Sequence, residues 1–323
     1  MIRFQGTCQK MYNIIIPQVC KFIPDMYEYP KFLAIKSETL AEIYSVGSKN
    51  YDWAHIEGEQ PFDLYSSKIY DMKNLLFYVV GGRYNNSGQK LITIDARPIV
   101  KYNHRVKRLR DLIEPRYYSS VIIYEDHLYM VGGNNSRTHK SVKSCFRYSI
   151  KADLWDQIPQ LNITNTEAGL AVLKGYLYAF GGSRFSRLQI ESKRIERLHL
   201  GEMLKWEKLD IYLIQSMINA CVAQTSDKKC IIFGGRGKGF SSQVKLFDHD
   251  IPRIKNVKTE AVTLKQEFIL SNQTIISKKF IRYDDPVEYK HKKNTTIFYF
   301  MSFEKKFGEY NIAKNTWQIS DWR

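Results

Sequence analysis

Four times along this chain a short apolar run ends in two consecutive glycines. The runs are Phe77-Tyr78-Val79-Val80-Gly81-Gly82, Leu128-Tyr129-Met130-Val131-Gly132-Gly133, Leu177-Tyr178-Ala179-Phe180-Gly181-Gly182 and Ile231-Ile232-Phe233-Gly234-Gly235. The second glycines stand at 82, 133, 182 and 235, so the spacings are 51, 49 and 53 residues. Runs this short, rich in aromatic and β-branched residues and stopped by glycine, read as strands. Each doublet is followed by a variable loop, a second apolar strand and often a tryptophan: residues 146–150 and then Trp155, or Ile195 and Leu198 and then Trp206. Each unit of about 50 residues thus reads as four short strands, and the chain as a repeat protein.

A lone four-stranded sheet cannot cover both of its faces. Copies stacked around an axis cover one another and leave only short edges. Glycine at the end of the second strand allows positive φ and a close backbone approach, and tyrosine and tryptophan fill the wedge between sheets. The four doublets, with Tyr148/Trp155 and Tyr310/Trp317 after them, resemble the kelch repeat. The resemblance is strong over roughly 60–250 and extends in degenerate form over nearly the whole chain. It implies an all-β, six-bladed kelch-type β-propeller of four antiparallel strands per blade, with degenerate first and last blades.

The expected blades run at roughly 20–58, 64–112, 117–160, 167–210, 217–260 and 266–323, one domain over 1–323. Residues 1–19 are unassigned and are a candidate ring-closing strand. The first blade holds 32–37, 40–44 and Trp53, its doublet lost. The second continues after its doublet with 91–95 and a basic last strand or loop bearing Lys101, His104, Arg105, Lys107, Arg108 and Arg110. That run is either a charged edge of the kind that guards against edge-to-edge pairing or a patch for phosphate or acidic protein. The third has strands at 119–124, 128–131, 146–150 and 154–158. The fourth has 169–173, 177–180, 195–200 and 204–209, and the fifth 220–223, 230–233 and 244–247 with an outer strand lacking tryptophan. Residues 267–270 and 274–276 are strand material, 283–293 a polar excursion, and 297–301, 308–312 and 317–319 complete the last blade.

With 44% hydrophobic and 25% charged residues and 9 prolines, the composition is that of a folded globular protein. The five cysteines, Cys8, Cys20, Cys145, Cys221 and Cys230, form no short paired motif, which favours free thiols in a reducing compartment. No charged leader with a long apolar core opens the chain, and no apolar run is long enough to span a membrane. The expected location is therefore intracellular and cytoplasmic. A net charge of +16 favours acidic partners, although abundant Lys, Ile, Tyr and Asn also fit plain compositional drift.

Signals for catalysis are weak. The seven histidines are scattered without metal-ligand spacing, so no metal and no cofactor is expected. Gly234-Gly235-Arg236-Gly237-Lys238-Gly239 fails the phosphate-loop pattern, because Gly239 stands where Ser or Thr is required. Arginines, by contrast, follow every doublet: Arg83, Arg137, Arg184 with Arg187, and Arg236 with Lys238. The four-strand reading puts all of them in the loop between second and third strands, on one face of the ring. Loops entering the inner strands open on that face too, adding Arg116, Tyr117 and Tyr118, then Asn162, Asn165 and Glu167, then Gln215 and Asn219. Guanidinium forks bind carboxylates in bidentate fashion, and tyrosine adds rigid contact area.

The resemblance implies a use for this face, since kelch propellers acting as substrate adaptors grip acidic peptides with such arginines. The partner-binding candidates are Arg83, Arg116, Tyr117, Arg137, Arg184, Arg187, Arg236 and Lys238. The expected function is a non-catalytic protein-interaction module or adaptor for a partner with an acidic segment, in a ubiquitin-ligase or cytoskeletal complex. Nucleic acid and membrane are not the expected partners. A propeller enzyme acting on an anionic small molecule such as a sugar acid is the alternative, and nonspecific polyanion binding a third reading.

Overall fold

The computed structural model describes residues 31–35, 40–45, 54–57, 63, 65–71, 73–83, 87–95, 106–185, 189–235, 244–257, 274–278, 295–301, 306–311 and 316–321. Among these, the strands form a succession of small antiparallel meanders, each built from consecutive segments. Sheet 1 pairs Lys31–Ile35, Leu40–Ser45 and Ala54–Glu57. Sheet 2 orders Ser67–Asp71, Leu76–Val80, Leu91–Asp95 and Val106–Arg108. Sheet 3 orders Ser120–Tyr124, His127–Val131, Cys145–Ser149 and Leu154–Ile158. Sheet 4 uses Gly169–Leu173, Tyr176–Phe180, Arg194–His199 and Glu207–Tyr212. Sheet 5 uses Cys221–Gln224, Lys229–Phe233, Val244–Asp248 and Arg253–Val257. Sheet 6 uses Thr274–Lys278, Thr295–Met301, Lys306–Asn311 and Thr316–Asp321. First strands of successive sheets lie beside one another, which makes the arrangement propeller-like.

The core of sheets 2 to 5 is a series of seams. Because side chains alternate along a strand, each second strand feeds two of them. In sheet 3, Leu128 and Met130 join Phe146 and Tyr148 against Tyr78, Val80 and Leu91 of sheet 2. Their neighbours Tyr129 and Val131 point the other way, with Cys145, onto Leu170, Leu177, Ala179, Leu198 and Trp206 of sheet 4. Tyr178, Phe180 and Ile195 of sheet 4 then meet Cys230, Ile232 and Phe247 of sheet 5. Each large side chain buried this way contributes on the order of 2 kcal/mol. Double burial explains why the second strands read as continuous apolar runs, while the outer strand Leu154–Ile158 is mostly exposed.

The glycine doublets buckle the seams. The second glycine donates its N–H to the chain entering the next sheet: Gly82 to Arg116 O at 2.7 Å, Gly133 to Asn165 O at 2.8 Å, and Gly182 to Met217 O at 2.7 Å. The first glycine has left-handed φ, +58° at Gly132, and a Cβ built there would stand 2.1 Å from Asn165 O. The tryptophans pin the outside in the same manner. Trp155 Nε1 donates to Arg110 O at 3.1 Å and Trp206 Nε1 to Pro159 O at 2.9 Å, each reaching the segment that leaves the preceding sheet.

Three details depart from the expected strands. The outer strand of sheet 4 begins at Glu207 and not near 204, because Trp206 turns inward and leaves Leu204 77% exposed. Two-residue and three-residue ribbons, Arg116–Tyr117 with Asn134–Asn135 and Ser183–Phe185 with Gln189–Glu191, occupy segments expected to be loops. The basic run of sheet 2 is engaged locally: Arg108 makes a fork onto Asp111, and Arg110 bonds Asp153 through its main-chain N–H and its Nε. Lys101, His104 and Arg105 lie outside the described residues, as do 1–19, 267–270 and 283–293.

Candidate functional site

Loops following the doublets and segments entering the inner strands meet at one end of the sheets. Asn134–Asn135 pairs with Arg116–Tyr117, Thr166 bridges Ser183, and Ser136 Oγ donates to Gly82 O at 2.7 Å. Here the chain makes a backbone relay. Tyr118 N–H donates to Tyr65 O at 3.2 Å, Glu167 N–H to Tyr118 O at 3.1 Å, and Asn219 N–H to Glu167 O at 2.7 Å. Tyr118, Glu167 and Asn219 adopt φ of 53°, 54° and 59°. Non-glycine residues in this region are held there by their surroundings, and recurrence at the same place in successive units marks an architectural constraint.

Arg83 is a half-buried cation at this end whose loop is held in place. Its main-chain N–H donates to Asp63 Oδ2 at 2.7 Å, and Asp63 Oδ1 accepts from Tyr65 N–H at 2.7 Å. One buried carboxylate therefore fixes both loops. The guanidinium carbon lies 5.4 Å from the Tyr65 ring centre and 5.6 Å from that of Tyr117, within cation–π reach. Tyr118 packs on Tyr65 at 5.3 Å and on Tyr117 at 5.2 Å, and His139 approaches Tyr117 at 6.0 Å. The result is a half-buried arginine seated against an aromatic wall.

Arg116 departs from the expectation of an exposed crown. Its side chain is 0% exposed, with Nη1 donating to Gly132 O and Ser144 O at 2.7 and 2.9 Å, and Nη2 to Ser144 Oγ and Glu114. It serves the seam: both Nη groups are met there by carbonyl, hydroxyl and carboxylate oxygens, while Nε finds no partner among the described residues. Tyr117 is likewise buried and acts as wall for Arg83. Arg137 and Arg184 are exposed. Arg187, Arg236 and Lys238 lie outside the described residues. Asn162 and Asn165 are consumed structurally, by Glu196 and by Gly181 O.

Sequence reading missed Asp63 and Tyr65, which carry no doublet or tryptophan to flag them. It also missed Lys68, on the first strand of sheet 2, whose enclosure brings its ammonium down to about 8 despite the opposing pull of Asp63. Burial pushes the Cys145 thiol up to about 11, which keeps it protonated at neutral pH. Among the described residues no cluster of three His, Cys, Asp or Glu side chains is placed to hold a metal, and no helix is long and apolar enough to cross a membrane.

The seam geometry recurs over the stretch matched by a family model described as the Kelch motif, at residues 115–162. The chain carries a kelch repeat there. It is 33% identical over 97 residues to Kelch-like protein 13 of Homo sapiens, covering 29% of this chain and 15% of that protein. It is 35% identical over 79 residues to Kelch-like protein 9 of Mus musculus, covering 24% and 13%. It is 28% identical over 122 residues to Kelch repeat and BTB domain-containing protein 2 of cowpox virus strain Brighton Red, covering 37% and 20%. The matched stretch thus spans at most about a fifth of each of these relatives.

Proposed function

We propose that this kelch-repeat protein is a non-catalytic, cytoplasmic protein-interaction module whose six sheets close into one ring, and that it docks an acidic segment of a protein partner on the doublet-loop end. The carrying observation is Arg83, whose main-chain N–H is held by Asp63 and whose guanidinium lies within cation–π reach of Tyr65 and Tyr117. A guanidinium already packed beside two rings on a tethered loop loses less entropy when a carboxylate arrives than a fully solvated one. Arg137 and Arg184 add exposed positive charge on neighbouring loops, and Arg187, Arg236 and Lys238 belong to the same proposed surface. The net charge of +16 assists encounter with an acidic partner. The free, buried thiols of Cys145 and Cys230 suit a reducing compartment. The kinship with Kelch-like and BTB-containing proteins supports an adaptor role, in a ubiquitin-ligase or cytoskeletal assembly.

The test is recovery of partners by affinity purification at moderate and high salt, comparing the native chain with Arg83→Glu/Arg184→Glu. A small set of proteins surviving the salt wash is expected, with recovery in the double variant reduced at least about tenfold and thermal unfolding unchanged. Equal recovery from both would sink the docking surface.

A further inference from the structure

At the opposite, hairpin end, the seam between sheets 4 and 5 is closed by a histidine. His249 follows the third strand of sheet 5, and its Nδ1 lies 2.8 Å from the hydroxyl of Tyr178 in sheet 4. Tyr178 is fully buried, so its O–H needs a protein acceptor. Among the described residues the partner that its hydroxyl meets is His249 Nδ1. The buried phenol hydrogen therefore goes to His249 Nδ1, which accepts it only if it carries no hydrogen of its own. The geometry thereby assigns the tautomer: neutral imidazole with its proton on Nε2.

We propose that His249 is a proton-sensitive latch between sheets 4 and 5. Protonation puts a hydrogen on Nδ1, removes the acceptor for the Tyr178 hydroxyl and strands that buried donor. Every element packed on the ring bears on its charge. From sheet 4 come Arg197 on the third strand and Lys174 in the hairpin, both repelling an imidazolium, and Tyr176, whose ring lies 5.4 Å away. From sheet 5 come Asp248 and Asp250, which attract it, and Lys228, whose carbonyl accepts the His249 main-chain N–H at 2.8 Å while its ammonium is held by Asp250. Burial and the two cations win, holding the imidazole below its ordinary value. The sign follows: the neutral form belongs to the folded state, so the latch is fully closed above the ordinary histidine value near 6.5 and is lost as pH falls through the lowered folded value. Lys174 joins the two hairpins at the same place, through its N–H to Asp227 O at 2.9 Å and its ammonium to the Asp227 carboxylate. That amide reports on the seam.

The experiment follows melting temperature and exchange of the Lys174 amide from pH 7.5 to pH 5 in the native chain, His249→Gln and Tyr178→Phe. Glutamine keeps an acceptor oxygen and does not titrate. In the native chain the melting temperature is expected to fall by roughly 2–4 °C more than in either variant, with Lys174 exchange accelerating only in the native chain. An unaltered pH slope in His249→Gln overturns the latch. So does a slope abolished in His249→Gln but intact in Tyr178→Phe, which would leave repulsion from Arg197 and Lys174 as the whole effect. Should a variant fail to fold, ring nitrogen shifts of His249 in the native chain decide: a proton on Nδ1 at pH 7.5 refutes the assignment.

Discussion

Gly132→Ala is expected to cost about 4 kcal/mol or more, while Gly175→Ala costs only about 1 kcal/mol. Both glycines have left-handed φ, +58° and +75°, and alanine pays the same conformational strain at either. They differ in surroundings. A Cβ at Gly175 meets nothing within 4 Å, whereas at Gly132 it meets Asn165 O at 2.1 Å. That carbonyl also accepts from Gly133 N–H, so it cannot retreat without breaking the buckle between sheets 3 and 4. Denaturant unfolding of the two variants is the check. Equal losses would mean that the doublets are required by conformation alone and not by the approach of the next sheet.

Arg116→Met is expected to destabilise by about 3–5 kcal/mol, the range for removing one member of a buried charged network. Ser144 O would lose its Arg116 donor, Gly132 O would keep only the longer bond from Ser119 Oγ at 3.3 Å, and Ser144 Oγ and Glu114 would lose a partner. Arg116→Lys preserves charge but not the planar fork that reaches both strands' carbonyls, so it recovers only part of the loss. Urea denaturation measures both. Because the side chain is buried, Arg116→Lys should retain partner recovery once folded. Loss of partners at unchanged stability would return Arg116 to the docking surface.

How much was legible varies with what each residue is used for. Second strands are legible because both faces are covered, so Leu128 through Val131 are all apolar and end at a fixed glycine. The outer strand of sheet 4 is less so. Its exposed edge tolerates mixed residues, and only the inward turn of Trp206 sets where it starts. Among the expected site residues, the order of the loops places Arg83, Arg137 and Arg184 correctly beyond their doublets. The same spacing cannot separate Arg83, seated against tyrosines, from Arg116, sunk into the seam. Burial of a charge depends on what the neighbouring sheet offers it, and those acceptors are backbone carbonyls common to every residue.

The sequence by itself determined the repeat: its period, the strand that ends each unit's apolar run, and the glycines without which neighbouring sheets cannot close together. These are local demands, met by residue type at a given place. Only the tertiary structure decided which cation faces solvent, that Asp63 fixes Arg83 beside Tyr65, and that Tyr178 finds His249 across a seam. Such partners lie 20 and 71 residues apart, and no short-range pattern couples them. Their pairing is set by how one sheet leans on the next, where side chains from separate repeats must satisfy each other's hydrogen bonds out of reach of water.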